Sequence, residues 1–213
     1  MMNNLHNNPS SNIPKENCFA EILASNIATF QAECWQWNNI PEFASLVTTK
    51  YNNRTIFAII YDIQTGPTDL VRQPVTYQKT QAELFEEQPQ IFEFLKTSFS
   101  CVAIAYHENH QTFYTLPPQP TPIHNFVSHA TPQEYDLCFA DEQFLHLLYS
   151  NSEKFIIEEL LLGLLKHQIE KKVLTKKRFD KIIETFFILN KNNYLQTKLF
   201  LQRVQNLVPK NLD

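Results

Sequence analysis

Glycine is scarce in this sequence, which has only Gly66 and Gly163 among its 213 residues. The phosphate-binding loops of nucleotide enzymes and the Gly-x-Ser-x-Gly elbow of serine hydrolases each need several glycines at fixed spacing. The sequence therefore excludes both kinds of site.

Long apolar runs and paired cysteines are also missing. The longest apolar run, 155–165, is too short to cross a bilayer and contains Glu158 and Glu159. The four cysteines are widely separated, which predicts buried thiols in a reducing compartment rather than a disulfide framework. With a mean hydropathy of −0.31, we expect a soluble protein. The abundance of Asn, Lys, Ile and Phe is compatible with a bacterium or a plastid, so we expect the cytoplasm or a plastid stroma as its location. Residues 1–17 lack the features of a signal peptide and are predicted to be a disordered leader.

The charge is unevenly distributed along the chain. Residues 1–150 carry 6 Lys and Arg against 15 Asp and Glu, whereas residues 151–213 carry 12 against 7. The net charge is therefore −9 in the first part and +5 in the second. This change of sign gives the C-terminal part a basic character.

Strand-length segments of alternating or wholly apolar residues, separated by turn signals, fill the first half of the chain. They predict six short antiparallel strands that form a small barrel, at 18–24, 30–37, 43–49, 56–63, 99–106 and 112–116. Between the fourth and fifth strands, Thr80 and Glu83 form a capping-box pattern, which predicts a helix through Phe85 that Pro89 interrupts.

Proline and helical periodicity mark the second half. Four prolines at 117–122 predict an extended connector over 117–130, without further sheet. Helix-start signals and 3.6-residue periodicity then predict a helical domain over 131–213. Its four helices are expected at 131–149, 152–174, 175–189 and 193–207. The predicted fold class is α+β: a six-stranded antiparallel β-barrel over 18–116 with a helical insertion, followed by a C-terminal α-helical bundle.

No pattern in the sequence indicates catalysis. Cys101 lies within an apolar strand, where a thiol usually packs inertly. Adjacent carboxylates on a helix point apart, which makes them poor acid–base pairs. A zinc site would need several ligands to converge. Four histidines lie near one another in the sequence and are interpreted as turn and linker residues: His107, His110, His124 and His129. We therefore predict a protein that is not an enzyme, with no cofactor and no metal.

A basic run near the middle of the helical half is the main feature that points to nucleic acid. It comprises Lys171, Lys172, Lys176, Lys177, Arg178 and Lys181. Such a cluster suits phosphate contacts, although it also suits the C-terminus of a helix through the macrodipole. Nucleic-acid binding by the barrel and these helices is therefore kept as an alternative function.

Several segments resemble the HAS-barrel, the N-terminal β-barrel of HerA-type DNA translocases and ATP synthase subunits. They are residues 43–47, 61–66, 87–92 and 99–106, together with Asp69, Arg72 and Pro74. With the proline connector and helical tail, the chain looks most like stand-alone HAS-barrel proteins of cyanobacteria and plastids. It departs from the ATPases in lacking a P-loop domain, and from the expected glycine before Ser45 in having Ala44.

The resemblance implies an assembly or docking module, because such barrels sit side by side in the ATPases. We therefore predict that residues 66–90 contact a protein partner, for which the resemblance makes a ring ATPase a candidate. Gly66 can adopt a positive φ and Pro67 stiffens the next step, which would give a defined loop. The predicted contact residues are Gly66, Asp69, Arg72, Pro74, Gln88, Pro89 and Gln90. The alternative is that these residues only shape a cap on the barrel. The sequence predicts no particular oligomeric state.

Overall fold

Seven antiparallel strands form one sheet, six of which close into a barrel. The computed structural model describes residues 17–69, 75–190 and 194–207. The strands are β1 (Cys18–Ser25), β2 (Thr29–Cys34), β3 (Leu46–Tyr51), β4 (Arg54–Pro67), β5 (Leu95–Glu108), β6 (Gln111–Phe113) and β7 (Phe126–His129). The barrel runs in the order β2–β1–β7–β3–β4–β5 and closes by pairing β5 with β2, while β6 extends β5 outside the ring.

The helices divide between an insertion and the C-terminal half. Helix α1 (Gln81–Glu87) and a 3₁₀ helix (Pro89–Phe94) lie between β4 and β5. The others are α2 (Pro132–Cys138), α3 (Phe144–Ser150), α4 (Ile157–Glu170), α5 (Lys176–Leu189) and α6 (Tyr194–Leu207), with a 3₁₀ turn at Ser152–Lys154. Within the described residues, no helix combines the length and the apolar composition needed to cross a membrane.

Two apolar cores explain why the central strands are apolar on both faces. Along β4, Ala58 and Ile60 belong to a core built only from the barrel strands. Phe57 and Ile59 on the opposite face belong to a second core, shared with helices α2 to α6. Because both faces of β4 are covered, its sequence shows a continuous apolar run instead of strict alternation. The helical half therefore packs directly against the barrel.

The predicted fold class is confirmed, but one strand of the barrel differs from the prediction. The connector over 117–130 was expected to contain no strand, and this expectation is wrong at β7, which pairs with β1 and β3. The sixth predicted strand, at 112–116, corresponds to β6, which lies outside the closed ring. A four-residue strand after a proline-rich segment gives little sequence signal, because its ladder partners are distant along the chain.

The predicted helix 131–149 is two helices. It begins as expected, with Thr131 and Glu134 forming a capping box. Helix α2 then ends at Phe139, and the next turn uses other partners: the Asp141 N–H donates to Tyr114 Oη at 3.1 Å, and the Gln143 N–H donates to Asp141 Oδ1 at 3.0 Å. These contacts, one of them from the distant Tyr114, replace helical hydrogen bonds and break the helix.

Candidate functional site

The insertion between β4 and β5 is held closed at its base. The two strands pair as far as Pro67 and Leu95, and the Thr68 N–H then donates to Phe94 O at 2.7 Å. Gly66 pairs with Lys96 inside this ladder, and its φ is not positive. Gly66 therefore does not adopt the positive φ that its lack of a side chain permits, because the hairpin extends further than the apolar pattern indicated.

Helix α1 is fixed at its N-terminus by the predicted capping box. The Glu83 N–H donates to Thr80 Oγ1 at 3.3 Å, and Glu83 Oε2 accepts from the Thr80 N–H at 2.7 Å. The backbone and side-chain hydrogen bonds from Thr80 lower the pKa of Glu83. Glu83 thus stays ionised at the helix N-terminus, where a negative charge is favourable.

A stack of three aromatic rings attaches the insertion to the barrel. The Phe85 and Phe92 ring centroids are 3.9 Å apart and nearly parallel, and Phe92 stacks on Trp37 at 5.4 Å. Phe92 is buried, whereas Phe85 and Phe94 are 46% and 51% exposed. Trp37 is held in turn, because its carbonyl accepts a hydrogen bond from Thr97 Oγ1 at 2.5 Å. The exposed rings are therefore presented from a fixed base.

Negative charge surrounds these exposed rings. The described part of the insertion has four exposed glutamates and, at its base, the exposed Asp69, against a single cation, Lys79, which pairs with Glu87. Val75 and Tyr77, earlier in the insertion, are also exposed. We call the region around the two rings the acidic aromatic surface; it comprises Phe85 and Phe94 with Glu83, Glu86, Glu87 and Glu93.

The predicted contact residues occupy two parts of the insertion. Gly66 and Asp69 lie at its base, where the chain leaves β4. Gln88, Pro89 and Gln90 lie where α1 ends and the 3₁₀ helix begins, and the Gln88 N–H caps α1 by donating to Leu84 O. Two further predicted residues, Arg72 and Pro74, lie outside the described residues.

The exposure of Phe85 and Phe94 was not predicted from the sequence. Phe85 is the single aromatic residue of the seven-residue α1 and is followed by two glutamates. A short helix of that composition cannot bury its aromatic ring against its own residues, and this was the available signal.

The predicted nucleic-acid residues lie at the junction between α4 and α5, where a concave surface is lined by Lys172, Lys177, Arg178 and Lys181. Two of these cations are already paired: Arg178 with Asp136 at 2.7 Å and Lys181 with Glu142 at 3.2 Å. Within the described part of the chain, Lys172, Lys176 and Lys177 are exposed and form no ion pair. Lys171 lines a different cavity, beside His129 and His167.

The histidines singled out in the sequence do not gather into one site. His107 hydrogen-bonds Thr112, His124 pairs with Glu21, and the His129 ring stacks on Phe19 with centroids 4.0 Å apart. Burial, with a smaller contribution from the nearby Lys171 charge, lowers the pKa of His129. Across residues 17–69, 75–190 and 194–207, the group that brings three potential metal ligands together is instead Glu42, His167 and Glu170.

The four cysteines are all buried side chains. No disulfide joins them. Burial raises the pKa of Cys101 and of Cys138 well above the ordinary thiol value. These two side chains therefore remain protonated near neutral pH and pack as small apolar groups.

Comparison with known proteins gives no further assignment. No model of a known protein family matches this chain, and no curated protein matches it. The resemblance to the HAS-barrel family therefore stays a prediction, although the barrel fold that it implied is present.

Proposed function

We propose that this chain is a non-enzymatic interaction module that docks a protein partner through the acidic aromatic surface. The observation that carries the proposal is the exposure of Phe85 and Phe94 on a base fixed by the Phe92–Trp37 stack. Aromatic residues that are rigidly held and exposed are typical anchors of protein interfaces, because they lose little conformational freedom on binding.

The chemistry of the surface indicates the kind of partner. Four exposed carboxylates around the rings favour a partner that offers Lys or Arg around an apolar groove. The same charges oppose nucleic acid at this surface, since phosphates would be repelled. The HAS-barrel resemblance adds a ring ATPase as a candidate partner. Asp69 and Gln88–Gln90 would contribute polar contacts at the rim.

The test is capture of partners from the extract of the source cells with the tagged protein. The extract is treated with nuclease, and the wild type is compared with the double variant Phe85→Ala/Phe94→Ala. Loss of an interface anchor costs about 2 kcal/mol or more, which corresponds to about a 30-fold loss of affinity. The matched control is Phe187→Ala, which removes an exposed ring from α5.

A second variant separates charge from packing. Glu86→Lys changes an exposed side chain that has no fold-stabilising partner among the described residues. The melting temperature of this variant should therefore equal that of the wild type. It should weaken capture and reduce the dependence of capture on salt. Equal capture by the wild type and both variants would overturn the proposal.

Nucleic-acid binding remains the second candidate, supported by the three exposed lysines at the α4–α5 junction that form no ion pair in the described chain: Lys172, Lys176 and Lys177. If these residues bind phosphates, affinity for a single-stranded oligonucleotide should fall steeply with salt, and the triple lysine-to-glutamine variant should flatten that slope. Binding that is lost with nuclease would favour this candidate over protein docking.

A further inference from the structure

Two carboxylates face one imidazole where the connection between β2 and β3 meets helix α4. His167 Nδ1 lies 3.4 Å from Glu42 Oε2 and 3.6 Å from Glu170 Oε2. Glu42 belongs to the connection, whereas His167 and Glu170 lie three residues apart on one face of α4. The histidine is only 5% exposed, so the barrel and the helix together hold the imidazole in place.

The hydrogen bond of the other ring nitrogen, Nε2, determines the protonation state of Nδ1, which faces the carboxylates. His167 Nε2 lies 2.9 Å from the Phe43 carbonyl oxygen. A carbonyl can only accept, so Nε2 carries the proton and donates it. In the neutral imidazole, Nδ1 then presents its lone pair to Glu42 and Glu170. Histidines that ligate metals commonly donate their second N–H to a backbone carbonyl in this way.

The distances fit a shared ion better than direct hydrogen bonds. A charge-assisted bond between an imidazolium N–H and a carboxylate oxygen measures about 2.7–2.9 Å, which is shorter than either separation at His167. Ligand atoms about 2.0–2.1 Å from a zinc ion at tetrahedral angles lie about 3.3 Å apart. The three ligand atoms also all lie within 4.8 Å of one another.

An unsatisfied buried hydroxyl lines the same place. A cavity of about 350 Å³ is bounded by Glu42, His167, Glu170 and Ser45, with Lys171 at its edge. Ser45 is 8% exposed, and its Oγ atom is buried and has no hydrogen-bond partner. An orphaned buried hydroxyl is costly, and a water on a bound metal ion would satisfy it.

We propose that Glu42, His167 and Glu170 bind a divalent transition-metal ion of the zinc type, with water near Ser45 completing the coordination. One imidazole and two carboxylates suit zinc, which Irving–Williams ordering favours over manganese or iron. The two carboxylates supply two negative charges, which match the charge of the divalent ion and exceed the single positive charge of Lys171. Because one ligand comes from the barrel connection and two come from α4, the ion would fasten the helix to the barrel.

The test is calorimetric titration of Zn²⁺ into full-length protein that has been treated with chelator and kept reduced. We expect one saturable site and a raised melting temperature, because an ion that binds only the native state stabilises it. Glu42→Gln and Glu170→Gln should each weaken binding by about tenfold or more while preserving side-chain size. Glu184→Gln, an exposed carboxylate on α5, is the matched control and should bind like the wild type.

Cobalt provides a second readout that distinguishes this site from the four cysteines. Co²⁺ bound by nitrogen and oxygen should show d–d absorption without the near-ultraviolet charge-transfer band of a thiolate ligand. That band, the absence of a saturable site, or equal binding by the two glutamine variants would each overturn the proposal. None of these measurements depends on a partner, so failure here is independent of the docking proposal.

Discussion

Helix α4 approaches the connection between β2 and β3 closely at Gly163, and this contact gives a sharp prediction. A Cβ atom added at Gly163 would lie 2.6 Å from the Cβ of Ala44. Ala44 is fully buried and has a positive φ of 61°, a conformation in which a side chain is strained. The space between Gly163 and Ala44 therefore accommodates one methyl group. That group belongs to Ala44, although the backbone conformation of this residue favours glycine.

Gly163→Ala should destabilise the protein. Carbon atoms in contact prefer about 3.5–4.0 Å, so the new methyl group would displace α4 by roughly 1 Å. Such overpacking costs about 1–3 kcal/mol, and the better helix propensity of alanine returns only about 1 kcal/mol. The expected net loss is about 1 kcal/mol, or about 2–4 °C in melting temperature for a chain of this size.

The same substitution should become stabilising when Ala44 is glycine. Ala44→Gly relieves about 1–2 kcal/mol of left-handed strain but loses a buried methyl group worth about 0.8 kcal/mol and loosens the unfolded chain. In that background, the methyl group of Ala at 163 fills the vacated space without a clash. The effect of Gly163→Ala should therefore reverse sign, with a coupling energy of about 2 kcal/mol.

The assay is urea unfolding of the four proteins of this double-mutant cycle, followed by far-ultraviolet circular dichroism. Gly66→Ala is the matched control, because a Cβ there meets nothing within 4 Å and φ is not positive. It should be neutral or slightly stabilising. If Gly163→Ala changes the free energy of unfolding equally in both backgrounds, within about 0.5 kcal/mol, the steric reasoning is refuted.

Three further predictions concern the cap of α2, the buried acids and the candidate metal site. Thr131→Ala removes the capping box with Glu134 and should lower the free energy of unfolding by about 1 kcal/mol in a urea titration, whereas Thr131→Ser should retain most of it. Burial raises the pKa of Cys34 from 9.0 to about 11 and that of Tyr114 from 10.0 to about 12. As the pH rises, the unfolded chain therefore loses these protons at a lower pH than the folded protein does. The urea midpoint should therefore fall as the pH rises above about 9, and a midpoint that stays level up to about pH 11 would contradict this. Gly163→Ala should also weaken Zn²⁺ binding, because it moves His167, one turn further along α4, away from Phe43. The double variant Ala44→Gly/Gly163→Ala should restore the affinity. Calorimetry that finds equal zinc affinities for the wild type and Gly163→Ala would contradict this.

Local signals in the sequence predicted most of the fold because they act over a few residues. Thr80 with Glu83 and Thr131 with Glu134 are complete capping boxes, and both begin helices as expected. Phe30, Ala32 and Cys34, which alternate along β2 with Gln31 and Glu33, lie together in the barrel core. Such patterns are decided by neighbouring side chains, so they are readable without the tertiary structure.

Features set by distant partners were not predictable in the same way. The break after α2 depends on Tyr114, and β7 depends on ladders to β1 and β3. The candidate metal site joins Glu42 to His167, and the carbonyl that orients this histidine is 124 residues away from it. Glu42 has no ligand-type neighbour in the sequence, and His167 with Glu170 supplies only two of the three ligands, so neither segment alone indicates a zinc site. The positive φ of Ala44 was likewise hidden, although the family resemblance suggested a glycine there.

The connection between β2 and β3 links the two sites proposed for this protein. Trp37 stacks on Phe92 beneath the acidic aromatic surface, and Glu42, five residues later, faces His167. Trp35 and Trp37 are also the two tryptophans of the chain. An ion that fixes Glu42 restricts this connection, so Zn²⁺ should change the tryptophan emission of the wild type and leave that of Glu42→Gln unchanged. If a partner held by Phe85 restricts the same connection, the two binding events are coupled, and the coupling is reciprocal, so the partner should then alter the zinc affinity. Calorimetric zinc binding with unchanged tryptophan emission would show that the two sites are independent.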